Sequence, residues 1–447
     1  MKLKLATPLL AALAACSSNP GNPPTDGGNP DGRPPPGTPI IYSLDGTQTD
    51  PSLHLALAIG PNDRVGVAYF RKVSGSNFEV RYVEYRNGNV SNSELVQSVL
   101  RSSDSWCTQC NYGVTIAFQS NGQPAVAYLG GSDDGSASAF WRQSDAAIAY
   151  RQSDGSWREQ IAVRYSNEAI CGNPVSDGPG PGGSVNVVGL FPALGFIGSN
   201  AYLAYRDVHG GQFPFQDWNG SDLEVATGGE TTWDHRPIVC GGDDKKAYGG
   251  HTQMVIAQGQ PVVVSDEIYN SADGTGTNVL FHRRNSDGSW TGTPWSSPVI
   301  SVSNTQAGPS LAYDSTTGYL IAVTDRTSNT LLFTSSTNGT TWTVATPVVQ
   351  EGTTGWYPSV AIDPNAHEPS IAYYHCANRT GIAEGSCPAN ENQLRLMYRV
   401  SGSIWRGPTL LDSQGGVFPK LGFLSSGRMV VAYRHPATGV LKLYLGP

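Results

Sequence analysis

Arg71, Arg206 with Asp207, Asp266 with Glu267, Asp325 with Arg326, Tyr374 with His375, and Arg434 with His435 share one place in this sequence. Each stands just past a short apolar run, several of which end in Ala-Tyr, as at Ala68-Tyr69, Ala204-Tyr205, Ala372-Tyr373 and Ala432-Tyr433. Asp133 follows the run ending at Tyr128 on a longer loop. A second set, Tyr112, Phe191, His251, Trp356 and Phe418, stands at the start of the preceding apolar runs. Arginines and carboxylates make directional, charge-assisted hydrogen bonds, and aromatic faces offer stacking planes. A ring built of both suits sugars.

Two reactions are open to such a ring. Glycoside hydrolysis needs two carboxylates facing each other across the bond, and Asp207, Asp266, Glu267 and Asp325 are available. Polysaccharide elimination needs a base and an acid, for which His251, Tyr374, His375 and Arg206 are available. The plain alternative is that the charges pair across the ring and cap a channel. Trp141, Phe213, Phe215 and Trp218 lie in loops that could widen a stacking platform.

The elements that position these residues follow from a repeat of about 58 residues. Its recurring apolar strands end at Tyr69, Tyr128, Tyr205, Ser265, Val323, Tyr373 and Tyr433. A strand rich in small residues precedes each, often opening with Pro, as in Pro192-Ala-Leu-Gly-Phe196 and Pro419-Lys-Leu-Gly-Phe423. Proline is tolerated at a first strand position because no ladder donor is lost there. Third strands such as Ala147–Arg151 and Leu394–Tyr398 follow, then a Gly turn and a Trp that opens a fourth. Four antiparallel strands per repeat specify propeller blades. The sequence therefore predicts an all-β, seven-bladed β-propeller over 39–447, with the N-terminal strand Pro39–Leu44 completing the last blade.

Ser153-Asp-Gly-Ser-Trp157, Ser286-Asp-Gly-Ser-Trp290 and Thr337-Asn-Gly-Thr-Thr-Trp342 resemble the Asp-boxes of the sialidase-like (BNR) β-propeller superfamily. Gly229–Trp233 and Ser401–Trp405 are degenerate copies. The resemblance implies a propeller scaffold and says little of function. Asp154 and Asp287 are expected to accept backbone hydrogen bonds in the turn, with Gly at positive φ and Trp packed between blades. A sialidase activity would also imply an early Arg-Ile-Pro motif, which His235-Arg-Pro-Ile238 does not supply.

Turns between first and second strands, and between third and fourth, are short. The opposite connections hold the insertions, 130–145, 164–190, 206–221, 240–250, 266–277 and 375–392, which makes theirs the expected working face. Cys107, Cys110, Cys171, Cys240, Cys376 and Cys387 lie in or beside that set. An even count in an exported chain favours disulfides. Fifteen connectivities are open, and we favour Cys107 with Cys110, Cys171 with Cys240, and Cys376 with Cys387. No cofactor is called for. A calcium ion could occupy an Asp/Gly-rich loop such as 270–276, whose spacing departs from an EF-hand loop.

Lys2 and Lys4 precede a short apolar stretch that ends in Leu13-Ala14-Ala15-Cys16. This resembles the bacterial lipobox and implies a signal peptide over 1–15 and a lipidated Cys16. Residues 16–38 are Pro- and Gly-rich, nearly devoid of apolar side chains, and suited to a tether. Localisation is then expected at the cell envelope, lipid-anchored, at the outer membrane or cell surface. A net charge of −8 without a basic cluster argues against nucleic acid as a partner. The expected partner is a carbohydrate or an envelope protein, met by a monomer that touches membrane only through its lipid. Carbohydrate binding is the leading expectation for function. A polysaccharide-active glycosidase or lyase, and a protein-interaction platform in an envelope complex, are the alternatives.

Overall fold

The computed structural model describes residues 39–100, 113–132, 144–166, 171, 184–212, 221–241, 246–269, 277–294, 296–303, 308–350, 353–376, 387–388 and 391–446. The signal, the tether and Cys16 lie outside the described residues. So do Tyr112, Asp133, Cys107, Cys110, the four loop aromatics and the loop 270–276. Regular structure among the described residues is β-strand, apart from one 3-10 turn at Pro61–Asp63. Alternation drives it. In Asn77–Arg86 the side chains of Phe78, Val80 and Tyr82 are buried, while Glu79 and Arg81 between them are half-buried.

The strands form the radial sheets of a β-propeller, but the expected seven separate blades do not stand. Five sheets are discrete, with four or five strands each, and one sheet has eight. The eight-stranded sheet runs from Val114–Phe118 to Trp233–Val239 and contains the strands of two successive repeats. They join where Val187 bridges Ser144 in parallel. The physical reason is strand length. Ser184–Ile197 has 14 residues, whereas the corresponding Ser310–Asp314 has 5, so the longer strand reaches the third strand of the repeat before it. Gly189 permits the approach, since a Cβ there would lie 2.9 Å from the Ala146 Cα.

Strand Ile40–Asp45 pairs antiparallel with Leu441–Leu445, so the last sheet takes its outer strand from the beginning of the chain. The core lies between neighbouring sheets. Val67 and Tyr69 pack with Val430, Ala432 and Leu443 in one buried cluster, and Ala372 and Leu394 pack with Val431 and Tyr433 in the next.

The Ala-Tyr tyrosines are fully buried, and four of their hydroxyls meet a carboxylate. Tyr69 donates to Asp45 at 2.5 Å, Tyr205 to Glu224 at 2.6 Å and Tyr433 to Asp412 at 2.6 Å, and Tyr128 donates to Glu159. The repeated tyrosine is thus a structural bolt. The Asp-boxes are turns, as their resemblance implied. Asp154 accepts from the Ser156 backbone and hydroxyl at 2.9 and 2.7 Å, with Gly155 at φ 87°. Trp157 packs on Tyr82 of the neighbouring sheet, ring centroids 5.5 Å apart, and donates to Glu94.

Candidate functional site

Four inner strands carry the same irregularity. Pairing stops at Leu190, Gly250, Trp356 and Val417 and resumes at Ala193, Gln253, Ser359 and Lys420. At each place two residues oppose one on the second strand, which is a β-bulge. The first bulged residue is Phe191, His251, Tyr357 or Phe418, and each has positive φ, 48°, 45°, 53° and 55°. Such backbones are uncommon for residues with a side chain and cost about 1–3 kcal/mol each. The fifth repeat satisfies the same place with Gly308 at φ 71°, ahead of Pro309.

These residues surround an axial cavity of about 170 Å³, whose lining includes Phe191, His251, Tyr357, Phe418, His54 and Lys420. Phe191 meets His251 at 4.7 Å between ring centroids, and Phe418 meets Tyr357 at 4.5 Å and His54 at 3.6 Å. The result is a collar of aromatic and imidazole rings.

His251 is the collar residue with chemistry attached. Its Nδ1 lies 2.7 Å from Asp266 Oδ2, with 14% of its side chain exposed against 1% for the aspartate. A carboxylate on Nδ1 fixes ring orientation and leaves Nε2 as the basic nitrogen. Arg206 is buried nearby, and its Nε donates to Ser221 at 3.0 Å. Burial pulls its guanidinium down to about 10, while Asp266 and Asp222 pull it up. Asp266 therefore holds the imidazole directly and acts on the Arg206 guanidinium by its charge.

Of the sequence-predicted ring, Arg206, His251 and Asp266 come together. Arg71 is ion-paired to Glu79 at 2.5 Å, and Asp325 accepts from Ser303 and the Thr327 backbone. Arg326 lies 3.7 Å over the Trp356 ring, and Trp356 donates to Asn329. Tyr374 donates to Asn392, and Arg434 donates to the Gly439 and Phe70 carbonyls at 2.7 and 2.6 Å. Asp207, Glu267 and His375 are buried. Trp356 precedes the collar position, which Tyr357 fills. His54, Tyr357 and Lys420 were missed. The residue before each Pro marks the collar and would have revealed Tyr357.

Two of the favoured disulfides are present, Cys171 with Cys240 and Cys376 with Cys387. Among the described residues, the one metal-like cluster is Cys171, Asp222 and Cys240. Its sulfurs are already bonded to each other.

No family model matches the chain, and no curated protein matches it in sequence. In solved structures the chain resembles an ulvan lyase described as a new family of polysaccharide lyase. Its complex with -[GlcA(1-4)Rha3S]- aligns at TM-score 0.54 and 13% identity, over 91% of this chain and 96% of that one. A second structure of that lyase aligns at 0.53. The Hadza microbial sialidase aligns at 0.47 and 14% identity, over 83% of this chain and 73% of that one. The likeness to the lyase structures shows a shared fold over most of both chains.

Proposed function

We propose that the propeller acts on an acidic polysaccharide at its axial mouth, with His251 as the base of an elimination that cleaves the chain beside a uronate. The observation that carries this reading is the 2.7 Å contact between His251 Nδ1 and Asp266, at the rim of a cavity and on a strained backbone. A pure binding surface has no need of an oriented imidazole. The carboxylates suit hydrolysis less well. Asp266 is engaged by His251, Asp325 is held in its turn, and Asp207 and Glu267 are buried. In elimination the base takes the proton beside the uronate carboxylate, the bond to the glycosidic oxygen breaks as a double bond forms in the new end sugar, and the leaving oxygen takes up a proton from the protonated base or from water. A general base contributes roughly 10²–10⁴-fold. The likeness to an ulvan lyase over most of the chain supports the choice of chemistry.

The lipobox at Leu13–Cys16 and the tether to residue 38 support a place at the cell envelope, anchored through Cys16. Display there fits capture of an external polymer.

The test is a panel of uronate-containing polysaccharides, scored for retention and for unsaturated products. Wild type should release product. His251→Ala and Asp266→Asn should retain polymer but lose about 10²-fold or more in turnover. Retention by wild type without product would replace this reading with carbohydrate binding alone, and neither signal would remove both.

A further inference from the structure

Ser310 and Ser359 occupy equivalent inner-strand positions, the residue after Pro309 and Pro358, and both hold the next strand. Ser310 Oγ accepts from the Val360 backbone at 3.0 Å, and Ser359 Oγ accepts from Leu421 at 2.9 Å. In the last repeat the same position, after Pro419, is Lys420. A lysine there is unexpected, since innermost strands crowd around the axis and small side chains fit best. Lys420 lines the axial cavity instead. Its ammonium makes no ion pair and no hydrogen bond among the described residues, and no carboxylate lines that cavity. Burial lowers its pKa to about 8. His54 and His251 line the same space, and His54 is pushed well below its ordinary value by burial and then by Lys420.

Lys420 is half-buried in this cavity, and a cation partly withdrawn from water without a counter-charge favours whatever anion can supply one. Thr115, Thr252, Gln253 and Ser310 add polar side chains to the lining, and 170 Å³ holds a small polyatomic group. We propose that the axial cavity is an anion site in which Lys420 takes a carboxylate or a small oxyanion. The ligand is either a free ion or the carboxylate of a sugar acid. The site stands on Lys420 and the cavity, so it survives if the elimination chemistry of His251 does not.

Isothermal titration of the full chain with sodium sulfate, acetate and glucuronate, at fixed ionic strength, tests this. Saturable binding of at least one is expected, weakened about tenfold or more by Lys420→Met and kept by Lys420→Arg. Glucuronate binding tighter than acetate would identify a sugar acid, and sulfate alone a free oxyanion. Binding by none of the three, or equal binding by Lys420→Met with its fold verified by circular dichroism, would overturn the proposal. The titration reads binding apart from turnover, so its outcome does not depend on the chemistry of His251.

Discussion

At the residue scale, the collar depends on glycines as much as on the rings. Gly355 has φ 76°, and a Cβ there would sit 2.8 Å from the Leu331 Cβ. Gly402 has φ 55° with nothing near its absent Cβ. Gly355→Ala meets both backbone strain and overlap and should cost about 2–4 kcal/mol, whereas Gly402→Ala meets strain alone and should cost about 1 kcal/mol. Denaturant unfolding of the two variants checks the difference, and equal losses would contradict the packing account. The sequence displayed the prolines but not the handedness. Proline reads in sequence as a strand start, but Pro192, Pro358 and Pro419 stand inside their strands at the bulge, and the left-handed φ before them depends on a partner strand one residue shorter. That is why Trp356 was chosen where Tyr357 lines the axis.

At the element scale, the buried tyrosine and its carboxylate recur, across neighbouring sheets at Tyr69 and Tyr433 and within one sheet at Tyr128 and Tyr205. Asp412 feels burial raising its pKa, yet hydrogen bonds from Tyr433 and the Gln414 backbone, with Lys442 alongside, bring it below the ordinary 3.8. A carboxyl whose folded pKa is depressed stabilises the fold fully above its unfolded pKa, and that stabilisation fades as pH falls through the folded value. Tyr433→Phe should therefore cost about 1–3 kcal/mol at neutral pH. The gap to wild type should shrink below about pH 4. Thermal melts of both proteins across the acid range provide the measurement, and a gap that stays constant with pH would refute the assignment. The Ala-Tyr repeat was legible because strand burial repeats, but the tyrosine's partner was not. It comes from the end of the neighbouring sheet's outer strand for Tyr69 and Tyr433, as Asp45 and Asp412, but from the same sheet for Tyr128 and Tyr205, as Glu159 and Glu224.

For the whole molecule, the strand inventory was readable while the sheet count was not. Period-two burial and turn residues belong to each repeat, but the bridge from Val187 to Ser144 depends on how far one long strand extends. Many residues of the expected ring are engaged by other protein groups. Being polar and near the axis does not separate a side chain that faces a ligand from one, like Arg434, that stitches Gly439 to Phe70. Pairing of Ile40–Asp45 with Leu441–Leu445 holds the circle shut. Deleting that strand would expose an unpaired edge and remove the carboxylate that Tyr69 uses. A chain lacking 40–45 should melt at least several degrees lower and associate on warming, read by calorimetry with light scattering. An unchanged melt would mean that closure contributes little.

The bulges also separate bore from scaffold. Each contributes one side chain to the axis from a backbone whose shape is set by the neighbouring strand, so the width and polarity of the mouth are encoded at single positions. Exchange of phenylalanine, tyrosine or histidine at 191, 251, 357 and 418 can re-gauge the aperture while the sheets behind it stay as they are. Selectivity in this protein can therefore drift one residue at a time.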